Sequence, residues 1–180
     1  MSGLKFFTSA LKTFRTTGSL VPSSQALIGK MISPDEFQTA KTIVELGPGN
    51  GCITEKALLK ISPDAHLTAF EVNDEFVEIL NQFHSNNFSV LAEGAENIGK
   101  HFAKESVDIV ISSLPLANFN KEMKTAIISA VKEVMKPDAL YIQYQYSLLD
   151  AKFIKASFSR VKRVHVMRNV PPAFVYFCRK

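Results

Sequence analysis

The chain has 180 residues, 46% of them apolar and 21% charged, which suits one domain with a full hydrophobic core rather than a disordered or fibrous protein. Cys52 and Cys178 are too few for a disulfide framework, no apolar run reaches bilayer length, and no signal-peptide cleavage pattern is present, so a cytoplasmic protein is expected. The net charge of +4 hides an asymmetry: residues 1–31 and 151–180 carry Lys and Arg but no acid, while the middle has 17 acids against nine bases. Basic ends around an acidic centre imply an anionic partner, either nucleic acid or a membrane surface.

Leu4–Arg15 is the first patterned stretch. Its spacing puts Leu4, Phe7, Leu11 and Phe14 along one side of a helix, with Phe6 and Ala10 widening it. Lys5, Thr8, Ser9, Lys12 and Arg15 fall on the other side. Such a helix fits an anionic membrane, with Lys5, Phe6, Phe7, Lys12, Phe14 and Arg15 as contacts. It equally fits a cover packed on the sheet or over a ligand, and one helix could alternate between the two roles. Residues 1–31 are therefore set apart as an amphipathic or ligand-covering segment, and residues 32–180 as the main domain.

Ile43-Val44-Glu45-Leu46-Gly47-Pro48-Gly49-Asn50-Gly51 comes next: an apolar run, three glycines spaced two apart, and then a helical pattern from Thr54 to Leu59. This reads as strand, tight loop and helix start, where bare backbone can approach a ligand. Beyond it, His66–Glu71 reads as a strand, Asp74–Phe83 as a helix, and Phe88–Ala92 and Val107–Ser112 as strands. Lys121–Met135 is helical, with Met123, Ile127, Ala130, Val131 and Val134 on its buried stripe, and Lys136-Pro137-Asp138 stops it. Ala139–Tyr146 is a strand, Leu148–Phe158 a helix, and Val161–Val170 and Ala173–Cys178 two strands joined by Pro171-Pro172. The alternation implies a parallel sheet, and the last pair an antiparallel hairpin. The expected fold class is α/β: a Rossmann-like mixed seven-stranded sheet with one antiparallel C-terminal strand and helices on both faces.

In such a sheet, ligands sit beyond the carboxyl ends of the strands, and the loop Gly47–Gly51 occupies that place. Glu71 follows at the spacing of a carboxylate that binds ribose hydroxyls. A dinucleotide loop usually has its third glycine three residues after the second; here it comes after two, and Glu45 would lie near an amine rather than a pyrophosphate. Glu45-Leu46-Gly47-Pro48-Gly49-Asn50-Gly51 resembles the E-x-G-x-G-x-G motif of class I S-adenosylmethionine-dependent methyltransferases. The resemblance implies that Glu45, Gly47, Gly49 and Gly51 hold the methionine part of S-adenosylmethionine, and that Glu71, with Val72 beside it, holds the ribose. Leu91–Ile98 resembles the motif that contacts the adenine, through Gly94, Ala95 and Glu96. An acid usually stands where Gly94 is, so the adenine amino group would fall to Glu93, to Glu96 or to the backbone around Ala95. Ser112-Ser113-Leu114-Pro115-Leu116 resembles the motif that faces the methyl group, which brings Ser112 and Leu114 into the site. Its lack of the Asn/Asp-Pro-Pro-Tyr form counts against an adenine-N6 methyltransferase.

Thr17-Gly18-Ser19-Leu20-Val21-Pro22-Ser23-Ser24-Gln25-Ala26-Leu27 and Pro171-Pro172-Ala173-Phe174-Val175-Tyr176 are similar to the end motifs of bacterial phospholipid N-methyltransferases, which convert phosphatidylethanolamine to phosphatidylcholine. This resemblance runs over essentially the whole chain. It implies N-methylation of a phospholipid headgroup by a protein held peripherally on the inner face of the membrane, with S-adenosylhomocysteine as the second product. Tyr144 and Tyr146, at the end of the fifth strand, are the candidates to accept a proton or hold a methylated ammonium. Arg163 and Arg168 are candidates for the lipid phosphate, with Arg168 favoured. No residue identifies itself as a general base, no metal site is expected, and a monomer without a DNA partner is expected. An RNA methyltransferase, which the basic tail would suit, is the alternative; a non-catalytic protein that binds cofactor or membrane is another.

Overall fold

A computed structural model describes residues 24–180. The strands are β1 (Thr42–Leu46), β2 (His66–Phe70), β3 (Phe88–Leu91), β4 (Val107–Ser112), β5 (Met135–Gln145), β6 (Arg160–Val166) and β7 (Ala173–Arg179). They form one sheet in the order β3-β2-β1-β4-β5-β7-β6. β1 to β5 pair in parallel, and β7 lies between β5 and β6, antiparallel to both. The expected fold class is the observed one.

The helices are α1 (Gln25–Met31), α2 (Cys52–Leu58), α3 (Asp74–Leu80), α4 (Ile98–His101), α5 (Lys121–Val134) and α6 (Ala151–Ser157). Leu27, Ile28 and Met31 of α1 and Ile53 and Ala57 of α2 pack with Ile43, Leu67, Ile109 and Ile142 on one side of the sheet. Ile98, Ile127, Val131 and Ile154 pack with Val44, Phe70, Val110 and Tyr141 on the other. Successive strand residues point to opposite faces. With both faces covered, β1 and β4 must be apolar nearly throughout, which is why they read as continuous hydrophobic runs.

The differences from the expected elements have local causes. Lys136-Pro137-Asp138 does end the helix, but inside β5 rather than in a loop. Val107 pairs with Met135 and Ile109 with Leu140, so the extra residues form a bulge where proline's missing N–H does no harm, with Asp138 at φ 59°. β6 ends at Val166 instead of Val170, so the hairpin turn spans 167–172 and not the two prolines alone. The Val170–Pro171 peptide in it is cis. α6 begins at Ala151, leaving Leu148 and Leu149 exposed ahead of it. Periodicity carried both elements too far because these apolar side chains sit on loops, outside the core.

One contact ties the start of α1 to the turn after β6. Ser24 caps α1, accepting from Leu27 N, while its own N–H donates to Asn169 Oδ1 at 3.0 Å. Asn169 is 2% exposed and donates through Nδ2 to Pro171 O at 2.7 Å. The segments around Ser24 and Pro171, which the sequence singles out separately, thus meet at one side chain. The amphipathic stretch Leu4–Arg15, with its expected contacts Lys5, Phe6, Phe7, Lys12, Phe14 and Arg15, lies outside the described residues.

Candidate active site

The parallel strands β1 to β5 end at one edge, and their loops are tied to one another there. Gly47 N donates to Phe70 O at 2.9 Å, Ser113 N to Leu46 O at 2.9 Å, and Glu71 N to Leu91 O at 3.0 Å. The sheet ladder therefore continues past the strand ends into the glycine loop, the acid after β2 and the segment after β4.

Gly47, Gly49 and Gly51 all have positive φ, at 67°, 58° and 81°. At two of them space is also closed. A Cβ on Gly47 would come within 2.9 Å of Leu114 Cδ2, and one on Gly51 within 2.6 Å of Phe83 Cζ. The loop is a cradle of bare backbone because larger residues would need both a left-handed conformation and room that Leu114 and Phe83 occupy.

Two carboxylates flank this cradle. Glu45, at 0% exposure, accepts from Thr54 Oγ1 at 2.7 Å through Oε2, and its buried Oε1 has no hydrogen-bond partner. Burial raises its pKa to about 7, and the neighbouring Glu71 adds to the rise while Thr54 opposes it. Glu71, 4% exposed, accepts from Val72 N at 2.8 Å and Asn73 N at 2.9 Å through Oε1, and from Gly49 N at 3.1 Å through Oε2. Burial raises its pKa too, against the pull of these three N–H groups. Glu71 thus clamps the loop after β1 to the loop after β2, a structural duty that its spacing alone does not reveal.

The adenine-facing candidates lie after β3. Gly94 and Ala95 are buried, and the exposed Glu96 folds its carboxylate back over Gly94. Glu93 is engaged by His101 at 3.0 Å, whose ring meets Phe70 edge-on. Of the two acids, Glu96 is thus the less committed.

Ser112 is fully buried, and its Oγ accepts from Leu114 N at 3.4 Å. Leu114 O accepts twice, from Gln143 Nε2 and Gln145 Nε2, each at 3.0 Å. Tyr141 donates its hydroxyl to Gln143 Oε1 at 2.6 Å, completing a chain that runs from β5 to the segment after β4. These glutamines were missed from sequence. The available signal was a Tyr141-x-Gln143-x-Gln145 alternation on one face of an otherwise apolar strand.

Tyr144 lies on the opposite face of β5 from those glutamines and Tyr146 just past the strand's end, with ring centroids 5.5 Å apart and planes at 77°. Tyr146 is 37% exposed and Tyr144 half-buried. The two arginines part company. Arg168 is exposed in the 167–172 turn at the ligand edge, whereas Arg163 is mid-strand, opposite Tyr176, with its guanidinium 5.5 Å from the Phe174 ring centre.

A sheet in this order, with a glycine cradle after β1 and a clamped acid after β2, is the Rossmann-like methyltransferase fold. Residues 43–138 match the family model described as a methyltransferase domain, and the chain belongs to that family, the class I S-adenosylmethionine-dependent methyltransferases. It is 30% identical over 167 residues to the ornithine lipid N-methyltransferase of Singulisphaera acidiphila, covering 89% of this chain and 87% of that one. Among solved structures it is similar to 1,6-didemethyltoxoflavin-N1-methyltransferase from Burkholderia thailandensis, crystallised with S-adenosylhomocysteine: TM-score 0.74, 12% identity, 100% of this chain and 91% of that one. It is also similar to precorrin-6y C5,15-methyltransferase from Geobacter metallireducens: TM-score 0.71, 16% identity, 91% and 93% covered. Neighbours with such different acceptors show that the sheet alone does not choose the substrate.

The residues present fit the cofactor. An orphaned buried carboxylate oxygen suits an amine, a cradle without Cβ atoms suits close approach, and Glu71 Oε2 keeps an acceptor position for a hydroxyl.

Proposed function

We propose that the chain N-methylates the amine headgroup of a membrane lipid, with phosphatidylethanolamine as the acceptor the sequence motifs favour. The observation that carries this reading is the 30% identity, over nearly the full length of both chains, to an ornithine lipid N-methyltransferase. Both lipids present a primary amine, so the chemistry is shared and the headgroup is what remains to be distinguished.

Bound S-adenosylmethionine supplies a methyl group on a sulfonium. The chain's own part is to place and prepare the acceptor. Glu45 would hold the cofactor's amine, Glu71 its ribose, and the segment Ala92–Glu96 its adenine. Leu114, held by Gln143 and Gln145, would wall the site beside the methyl group. The headgroup ammonium must lose a proton before its nitrogen can take the methyl, with the C–S pair returning to sulfur as the C–N bond forms. Tyr144 and Tyr146, packed ring to ring, are the candidates for that acceptor: a phenol oxygen accepts a hydrogen bond and a ring faces a methylated ammonium. Alignment in a water-poor site supplies the remaining acceleration. Arg168, exposed in the turn after β6, is the candidate for the lipid phosphate. The basic, phenylalanine-rich stretch Leu4–Arg15 would cover the site or hold the protein at the bilayer.

Methyl-labelled S-adenosylmethionine incubated in parallel with phosphatidylethanolamine vesicles, ornithine-lipid vesicles and RNA tests the reading. Label in a lipid is expected, and which lipid takes it names the headgroup. Label in RNA alone, or in none of the three, overturns it.

A further inference from the structure

Seven large hydrophobic side chains are exposed among the described residues, and five of them are on two neighbouring loops. Tyr146 (37%), Leu148 (46%) and Leu149 (81%) follow β5; Met167 (67%) and Val170 (75%) follow β6. β5 and β6 run parallel with only β7 between them, so both loops leave the sheet at its ligand edge, roughly 10 Å apart. An apolar cluster gathered at one rim marks an interaction surface, where scattered exposed residues would mark nothing.

We propose that this rim docks on an anionic lipid surface and sets the depth at which a headgroup enters the site. Charge selects that occupant. Arg168 stands exposed between Met167 and Val170, and the exposed Lys152 follows Leu149. The only acid from 146 to 172 is Asp150, which is buried and paired with Lys124 at 2.5 Å. The rim therefore presents apolar tips flanked by cations with no free carboxylate, complementary to negatively charged headgroups over acyl chains. Position supports it as well. Tyr146 belongs both to the rim and to the proposed acceptor site. Ser24 is tied to Asn169 in the same turn, so α1 is anchored at this edge.

The inference rests on a lipid acceptor, yet it is tested without methyl transfer. The chain has no tryptophan, so Leu149→Trp and Val170→Trp each install a unique fluorophore in the full chain, with Leu59→Trp as a control at 76% exposure elsewhere. The probe is a vesicle of phosphatidylglycerol and phosphatidylcholine with brominated acyl chains, neither of which carries an amine to methylate. Blue-shifted, quenched emission at positions 149 and 170 but not at 59 is expected. A Leu149→Ser/Met167→Ser/Val170→Ser variant should pellet with these vesicles roughly tenfold less than the unsubstituted chain, while binding S-adenosylmethionine as before. Equal quenching at all three positions overturns the proposal. So does unchanged pelleting of the triple variant. Emission already blue-shifted before vesicles are added also overturns it, because the rim is then covered by residues 1–23, a second copy or another protein. Docking with no label in any lipid would support this inference while sinking the proposed function.

Discussion

Glu45 is the residue whose environment is most out of keeping with its chemistry. Its carboxyl ionises near pH 4.5 in an unfolded chain and near 7 in the folded one, so between those values the folded state holds the extra proton. Stability from this group is therefore full below about pH 4.5 and is lost as pH rises through 7, by ~3 kcal/mol at most. Glu71 shifts in the same direction. Thermal denaturation of the cofactor-free protein should show a melting temperature that falls from pH 5 to pH 8, with a shallower fall in Glu45→Gln. A cationic amine placed at Oε1 reverses the preference and drives the proton off. Titration calorimetry in buffers of different ionisation enthalpy should detect proton release on binding S-adenosylmethionine near pH 6.5. In Glu45→Gln that release should vanish and affinity fall about 10- to 100-fold, as expected for a hydrogen-bonded charge pair. Proton release unchanged in the variant would remove Glu45 from the amine site.

Between elements, two polar connections hold the site in shape. Gln143 links Tyr141 on β5 to Leu114 after β4, and Gln145 supplies a second donor to the same carbonyl. Gln143→Leu removes one partner of the buried Tyr141 hydroxyl and one of Leu114's donors, so it should cost about 2 kcal/mol in urea unfolding. Gln145→Leu leaves the carbonyl still bonded and should cost about 1 kcal/mol. The reverse ranking would mean that the chain from Tyr141 is not what fixes Leu114. The other connection is Asn169. Asn169→Ala should cost about 2 kcal/mol and speed amide exchange at Ser24, whereas Asn169→Asp keeps the acceptor for Ser24 and should preserve its protection. Sequence reading reached the elements here but not these ties. The strands announced themselves by apolar runs and the glycine cradle by its spacing. A glutamine or asparagine that bonds a distant backbone atom leaves no periodic trace. The same limit misplaced the end of β6 and the start of α6, where Met167, Val170, Leu148 and Leu149 extend an apolar pattern without entering a core.

At the scale of the whole molecule, two cores share one sheet. Val44 and Val110 face one core and Ile43 and Ile109 the other, so neither can dissolve without loosening strands that the other needs. Leu27→Ala in one and Ile154→Ala in the other, both at fully buried positions, should each cost about 2–5 kcal/mol and lower the same single unfolding transition. Separate transitions in calorimetry would show that the faces melt independently. The fold class was legible because coverage of both faces writes itself into the strands as continuous hydrophobicity. The substrate was not, because the candidate acceptor residues are ordinary tyrosines and arginines that no periodic pattern marks out.

The order β5-β7-β6 has a consequence for synthesis. β6 is translated before β7 but reaches the sheet only through it, so on the ribosome it waits without a partner, its backbone open to pairing with other chains. Its three cations among seven residues, Arg160, Lys162 and Arg163, repel a second copy of the same strand during that interval. The charge on this edge strand would thus guard the nascent protein from aggregation.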